Sequence, residues 1–315
     1  MGSKTSKIRE LIAKPRKAYN IRKVLPHWHQ LCASMDVIED TELAIDAFLS
    51  IENENDHGKL YLLTYGVLQC LYAQQDAVKN LCEALKIKLD FGKYQSIKQI
   101  REIRNESIGH PSKKKAGDVL SFHRIMRVSL DVKGFELLSD HSDGRFETKT
   151  VSIYDCIQEQ RRHLTEVLKD VVKYLKKEEE EHKMKFKNEK LEDSFGYDVR
   201  YHCGSMSESI SSPMHHPPEM ALADIEMIKK AIENFLNALS KRGISLDTYD
   251  SIKYEYEDTK FALKRLEDYF SSLKAGKATI TSKDARVYWE FMRNHAVEII
   301  EIAKAIDEEY EDIEE

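Results

Sequence analysis

The chain has 315 residues, enough for two domains that each bury a core, and its 41% hydrophobic and 33% charged composition with only 12 Gly and 6 Pro describes a helix-rich protein. No apolar run reaches the length of a membrane span and the start lacks a signal-peptide core, so a cytoplasmic protein is expected; five cysteines, never spaced C-x-x-C, exclude a disulfide framework or zinc knuckle. The net charge of −6 excludes a surface basic throughout, yet residues 93–117 hold seven Lys or Arg against Glu102 and Glu106, and the last nine residues hold seven acids and no base.

Residues 1–34 read as a basic arm with one short helix at most, because Pro15 and Pro26 interrupt it and its apolar positions are few. Its opening hexamer, MGSKTS, matches the N-myristoylation pattern. A helical domain is expected over 35–187. Val37, Ile38, Ala44, Ile45, Phe48 and Leu49 recur at helical spacing, and Leu60, Leu63, Val67, Leu71, Val78, Leu81 and Leu85 form a longer stripe with one seven-residue step at Gln74 and Gln75. After the turn DFGKY, a third helix is predicted over 95–109, with Ile97, Ile100, Ile103 and Ile108 inward and a basic opposite face.

Short β-branched and aromatic runs near 120–151, split by KG and SDG, predict a small two- or three-stranded insertion built on a β-hairpin. A long helix then starts near Ser152 and runs out through KKEEEEHKMKFKNEK as a solvated extension. Residues 188–219, rich in Ser, His and Pro and without a period, read as a linker. Residues 220–315 predict a bundle of three helices with an acidic tail. The fold class expected is all-α.

The chemistry concentrates in RNESIGHP, residues 104–111. A helix positions Arg104 and Asn105, Gly109 lets the chain leave it, and Pro111 pushes His110 out of the α region. The imidazole of His110 can take or give a proton, while the cationic guanidinium of Arg104 can hold phosphate oxygens as charge builds. Arg101, Lys113, Lys114 and Lys115 stand ready as backbone contacts to a polyanion.

An Arg followed by a polar residue, with four to six residues between the Arg and a His, is the signature of the HEPN family of helical ribonucleases, which RNESIGH resembles. The resemblance spans about residues 36–180, through YLLTYGVLQCLYAQQDAVKNL and the helix ending in IREIRNESIGHP. It implies a bundle of four or five helices, RNA as substrate, and a homodimer in which two copies of Arg104, Asn105 and His110 meet in one site. It implies no metal and no cofactor: the 2′-OH attacks, leaving a 2′,3′-cyclic phosphate. It also implies a defence or toxin–antitoxin setting, where an inhibitory partner protein restrains the enzyme. The alternative is a non-catalytic HEPN-like interaction or regulatory protein.

Other groupings carry less. Arg22 with His27 or His29 matches the spacing but encloses Pro26. The His27–His29 pair, and His202 and Cys203 with His215 and His216, lack the regular spacing of a tetrahedral metal set. His295 falls on an apolar stripe and reads as a core histidine. No phosphate-binding glycine loop, nucleophile elbow or zinc-protease motif occurs. The acidic tail over 307–315 is expected to mimic nucleic acid and occupy the basic site.

Overall fold

The computed structural model describes residues 1–88, 93–116, 118–196 and 199–311. The chain divides into two compact units, Met1–Lys14 with Ile21–Lys176 and Pro15–Asn20 with Lys177–Glu315. The described residues are mostly helical, as expected, with one antiparallel sheet of four strands. Among them no helix is long and apolar enough to cross a membrane.

The first 34 residues are not an arm. They form α1 (Gly2–Ala13), α2 (Pro15–Arg22) and the start of α3 (Leu25–Leu49). Ile8, Leu11 and Ile12 of α1 are buried with Leu31, Met35 and Ile38 of α3, so three apolar positions suffice once a neighbouring helix covers them. Pro15 and Pro26 stand in first turns, where a missing N–H costs nothing.

α4 (His57–Ala84) begins at Asp56, whose carboxylate accepts the Lys59 N–H at 2.9 Å. The seven-residue step in its stripe is a polar core. Gln74 and Gln75 are buried together with Gln160 of α6 (Ile153–Phe186). Gln75 Nε2 donates to Gln160 Oε1 at 2.7 Å, and Gln160 Nε2 donates to Gln74 Oε1 at 2.9 Å and to the Leu71 carbonyl at 3.0 Å. Gln74 in turn donates to Glu42 at 3.0 Å, and Glu42 pairs with Arg161 at 2.7 Å. Each of these buried amides left unpaired would cost about 1–3 kcal/mol, so the network sets how α3, α4 and α6 lie together.

Most of the DFGKY turn lies outside the described residues. α5 (Gln95–Arg104) is shorter than the predicted helix, and Asn105–Gly109 continue it as a π-helical turn. The strands that follow are β1 (Lys114–Ala116), β2 (Val119–Ile125), β3 (Gly134–His141) and β4 (Phe146–Ser152), adjacent in chain order. In register, Lys114 faces Ser121, His123 faces Ser139 and Phe135 faces Val151. The two- or three-stranded insertion is thus a four-stranded sheet. β3 starts at glycine because a Cβ at Gly134 would stand 2.0 Å from the Val151 carbonyl oxygen. Phe135, Leu137 and Val151 pack in one core with Leu68 of α4 and Ile100 and Ile103 of α5, which places the sheet against the helix that carries Arg104.

In the second unit the charged end of α6 is more than a solvated extension: Arg16 pairs with Glu179 at 2.7 Å, Lys17 pairs with Glu178, and Phe186 is buried. Residues 188–219, expected as a linker, hold a 3-10 turn (Glu192–Phe195) and α7 (Val199–Ser211), whose Cys203, Met206 and Ile210 join the core. α7 makes a fourth helix beside α8 (Pro218–Lys241), α9 (Asp250–Lys274) and α10 (Ser282–Glu311). The acidic tail is partly interior. Asp307 and Tyr310 are buried, and Asp307 accepts the Leu191 and Glu192 N–H groups at 2.9 and 3.0 Å and pairs with Arg242 at 3.0 Å.

Candidate active site

Ile97, Ile100 and Ile103 recur every third residue on α5 and are buried, and Lys98, Arg101 and Arg104, each one residue later, follow on the adjacent flank about 100° round the helix. The guanidinium groups of Arg101 and Arg104 both lie over the ring of Tyr72 on α4, at 4.0 and 4.4 Å from its centroid. Their polar partners differ. Arg101 pairs with Asp76 at 2.7 Å and donates to Gln75 Oε1 at 3.3 Å. Arg104 donates from Nε and Nη2 to Gln69 Oε1 at 3.1 and 2.8 Å, and from Nη1 to Asn105 Oδ1 at 3.1 Å.

Arg104 therefore rests on two amide oxygens and a phenol ring, and no carboxylate among the described residues neutralises it. Three of a guanidinium's five N–H groups are engaged, and two remain for a ligand.

The π-turn brings the rest. The His110 N–H donates to the Asn105 carbonyl at 2.7 Å, closing the wide ring that defines such a turn. A Cβ on Gly109 would meet Arg104 Nη1 at 2.8 Å and Asn105 Oδ1 at 3.4 Å, so the guanidinium lies on the bare backbone immediately before His110. Gly109 is absent from the positive-φ residues. Its part is space for Arg104 rather than the freedom to end a helix that the sequence suggested. His110 itself has φ −138° and ψ 50°, outside the α region, as the following proline demands. Its side chain is exposed and has no hydrogen-bond or charged partner among the described residues.

The chain beyond is pinned by the sheet: the His123 N–H donates to the Pro111 carbonyl at 2.6 Å. The His123 ring is buried between Ser139 Oγ at 2.8 Å and Ser121 Oγ at 2.9 Å, and burial pushes its pKa down. Lys114, on β1, pairs with Glu106 of the π-turn at 2.8 Å. Lys113 and Lys115 are exposed.

Of the residues singled out from sequence, Arg104 and Asn105 touch, and His110 follows the glycine against which Arg104 lies. Arg101 and Lys114 are bound to carboxylates. Gln69, Tyr72 and Asp76, which hold the two arginines, went unrecognised. Their signal was the steps of three and four residues along α4, beside the apolar stripe. The rival positions do not assemble: Arg22 stacks on Trp28 at 4.5 Å, His202 bonds Asp224 at 2.8 Å, and His216 bonds Glu208 at 3.1 Å. His295 is not an apolar core histidine, since its Nδ1 lies 2.5 Å from Glu255. Among the described residues no three His, Cys, Asp or Glu side chains are placed to hold one metal ion. No family model, curated protein or solved structure matches the chain.

Proposed function

We propose that the protein is an endoribonuclease of HEPN type, acting at Arg104, Asn105 and His110. The observation that carries this reading is a guanidinium held in place by neutral groups, with no carboxylate on it among the described residues, against the residue that precedes an exposed histidine unpartnered among those residues. Such a group is preorganised for an anion, because binding neither breaks an ion pair nor reorients the arginine.

RNA supplies its own nucleophile. His110 takes the 2′-OH proton, Arg104 stabilises the charge building on the non-bridging oxygens, and Asn105 keeps Arg104 in place. The bond to the 5′-oxygen breaks, that oxygen receives a proton, and the products are a 2′,3′-cyclic phosphate and a 5′-OH end. The reaction needs a base and an acid, and each chain offers one such histidine. A second copy supplies the other, which makes the enzyme a homodimer with a shared site. Lys113 and Lys115 contact neighbouring phosphates.

The test incubates wild type, Arg104→Ala and His110→Ala with total RNA in EDTA. General acid–base groups and charge-stabilising donors are each worth about 10²–10³-fold or more, so both variants should lose at least about 100-fold of the cleavage while keeping their circular dichroism. Equal inertness of all three proteins would assign the unit to a non-catalytic interaction role. Cleavage retained in both variants would remove these residues from the mechanism.

A further inference from the structure

The outward side of α4 next to Arg104 has a feature that the reaction above does not use. Leu62, Tyr65, Gly66 and Gln69 are all exposed and stand at i, i+3, i+4 and i+7, which is one helix face; Leu60, Thr64, Val67, Leu68 and Leu71 are buried on the other. Gly66 sits in the interior of a 28-residue helix, where glycine is unfavourable relative to alanine, and a Cβ there would meet nothing within 4 Å. Packing does not require this glycine. What it provides is bare backbone beside the Tyr65 ring.

That ring is held from one side, since Tyr61 meets it edge-on at 5.8 Å between centroids and itself packs against the core. Tyr65 remains 39% exposed, and Gly66, the next residue, leaves the backbone beside it uncovered. One turn further, about 6 Å along the axis, Gln69 grips Arg104.

We propose that this shelf, Tyr65 and Gly66 flanked by Leu62 and Gln69, seats an unpaired purine base of the RNA strand whose phosphate lies at Arg104. The inference rests on the ribonuclease reading and adds a specificity determinant to it. An aromatic face with open space beside it, one turn from an uncompensated guanidinium, is the pairing of base platform and phosphate contact by which single strands are bound. Purines are favoured because they cover more of the ring. A second protein fits less well: the shelf offers two large apolar side chains, whereas a stable interface buries about 800 Å² on each partner.

The experiment uses the full chain carrying His110→Ala, so that RNA is bound without being cut, and reads the fluorescence anisotropy of labelled oligonucleotides: A-rich, U-rich, and an A-form duplex. The A-rich strand should bind most tightly. Adding Tyr65→Ala should weaken its binding about tenfold and abolish the preference over the U-rich strand, while Tyr65→Phe keeps both. Gly66→Gln should weaken binding to a similar extent with a melting temperature unchanged or raised, which a structural glycine would not allow.

Unchanged affinity in Tyr65→Ala alongside weakened affinity in Arg104→Ala would overturn the shelf and leave the ribonuclease reading standing. A change of oligomeric state in Tyr65→Ala by light scattering would assign the shelf to a second copy and likewise overturn it. Absence of both RNA binding and wild-type cleavage would overturn the two together.

Discussion

Replacing Asp307 by alanine isolates a deeply buried ion pair in the second unit. Arg242 and Asp307 are 3% and 7% exposed. Arg242 Nη1 donates to Asp307 Oδ1 at 3.0 Å, Nη2 reaches the Glu189 carbonyl, and the guanidinium also lies 4.7 Å from the Tyr310 ring centroid. Asp307 further accepts the N–H groups that open the 3-10 turn before α7. Removing one partner of a buried pair strands the other charge and costs about 3–5 kcal/mol, and two orphaned N–H groups add to this. We expect a loss of about 4 kcal/mol.

The assay uses the two tryptophans, Trp28 in the first unit and Trp289 in the second. With Trp28→Phe as background, Trp289 fluorescence follows the second unit alone during urea unfolding. At about 2 kcal/mol per molar of urea, the midpoint should fall by about 2 M. The double variant Arg242→Met, Asp307→Leu should recover much of the loss, because a well-packed apolar pair replaces a buried ion pair at little cost. A loss below about 1 kcal/mol, or a double variant no better than the single one, would refute the argument. The same contacts bear on the acidic tail: deleting residues 307–315 removes a core anchor, so greater RNA affinity in such a truncation would not by itself show that the tail had shielded the site.

Two further outcomes are expected. In Gly109→Ala the new Cβ would crowd Arg104 Nη1 at 2.8 Å, and the flexible guanidinium rather than the backbone must yield; displacement by about 1 Å should reduce RNA cleavage about 100-fold while the melting temperature barely moves, and full activity would separate Arg104 geometry from catalysis. Burial, reinforced by Arg16, holds the His182 imidazole down to about 4, against 6.5 for an ordinary histidine, with the Tyr310 hydroxyl 2.9 Å from its Nε2. The unfolded chain binds the extra proton first, so this contribution to stability is complete above pH 6.5 and is lost as pH falls toward about 4. Urea midpoints of wild type and His182→Gln across that window should diverge, with the wild type the steeper; parallel profiles would discount His182.

The long helices were legible because their cores repeat at three and four residues over many turns. Leu60, Val67, Leu71, Val78 and Leu81 are buried as their spacing implies. What escaped detection has specific causes. Residues 1–34 predict one short helix at most rather than α1, α2 and the start of α3, because a proline interrupts a helix interior but is neutral at a helix start, where Pro15 and Pro26 both stand. β1 is three residues with two lysines, too short to alternate, and is held by its neighbour Val119–Ile125 rather than by its own composition. α7 hid because Ser and Gly are interspersed along it and Ser209 is buried with Val199, Cys203, Met206 and Ile210, so its apolar spacing is sparse. Likewise, nothing in a one-dimensional pattern distinguishes Gln74 and Gln75, satisfied inside the core by Gln160, from a polar gap facing water.

The same limit applies to charge, and it bears most directly on function. The sequence counts seven bases against two acids over residues 93–117. In three dimensions Asp76, from another helix, takes Arg101, and Glu106 takes Lys114. Arg101 and Arg104 share the Tyr72 ring at nearly equal distances, so two like charges gather at one ring and, among the described residues, only Arg101 is compensated by a carboxylate. Together with Asp76 this group carries a net charge of +1 at Arg104, held by Gln69 and Asn105. An anion binding there relieves the repulsion between the two guanidinium groups as well as gaining its own hydrogen bonds. A lysine at 104 could not do the same: its flexible ammonium would lack the planar contact with Tyr72 and the forked grip on Gln69. The basic stretch in the sequence thus reduces to one oriented guanidinium with Lys113 and Lys115 as exposed neighbours in the chain, which suits the proposed contact with one phosphate better than the coating of a polyanion.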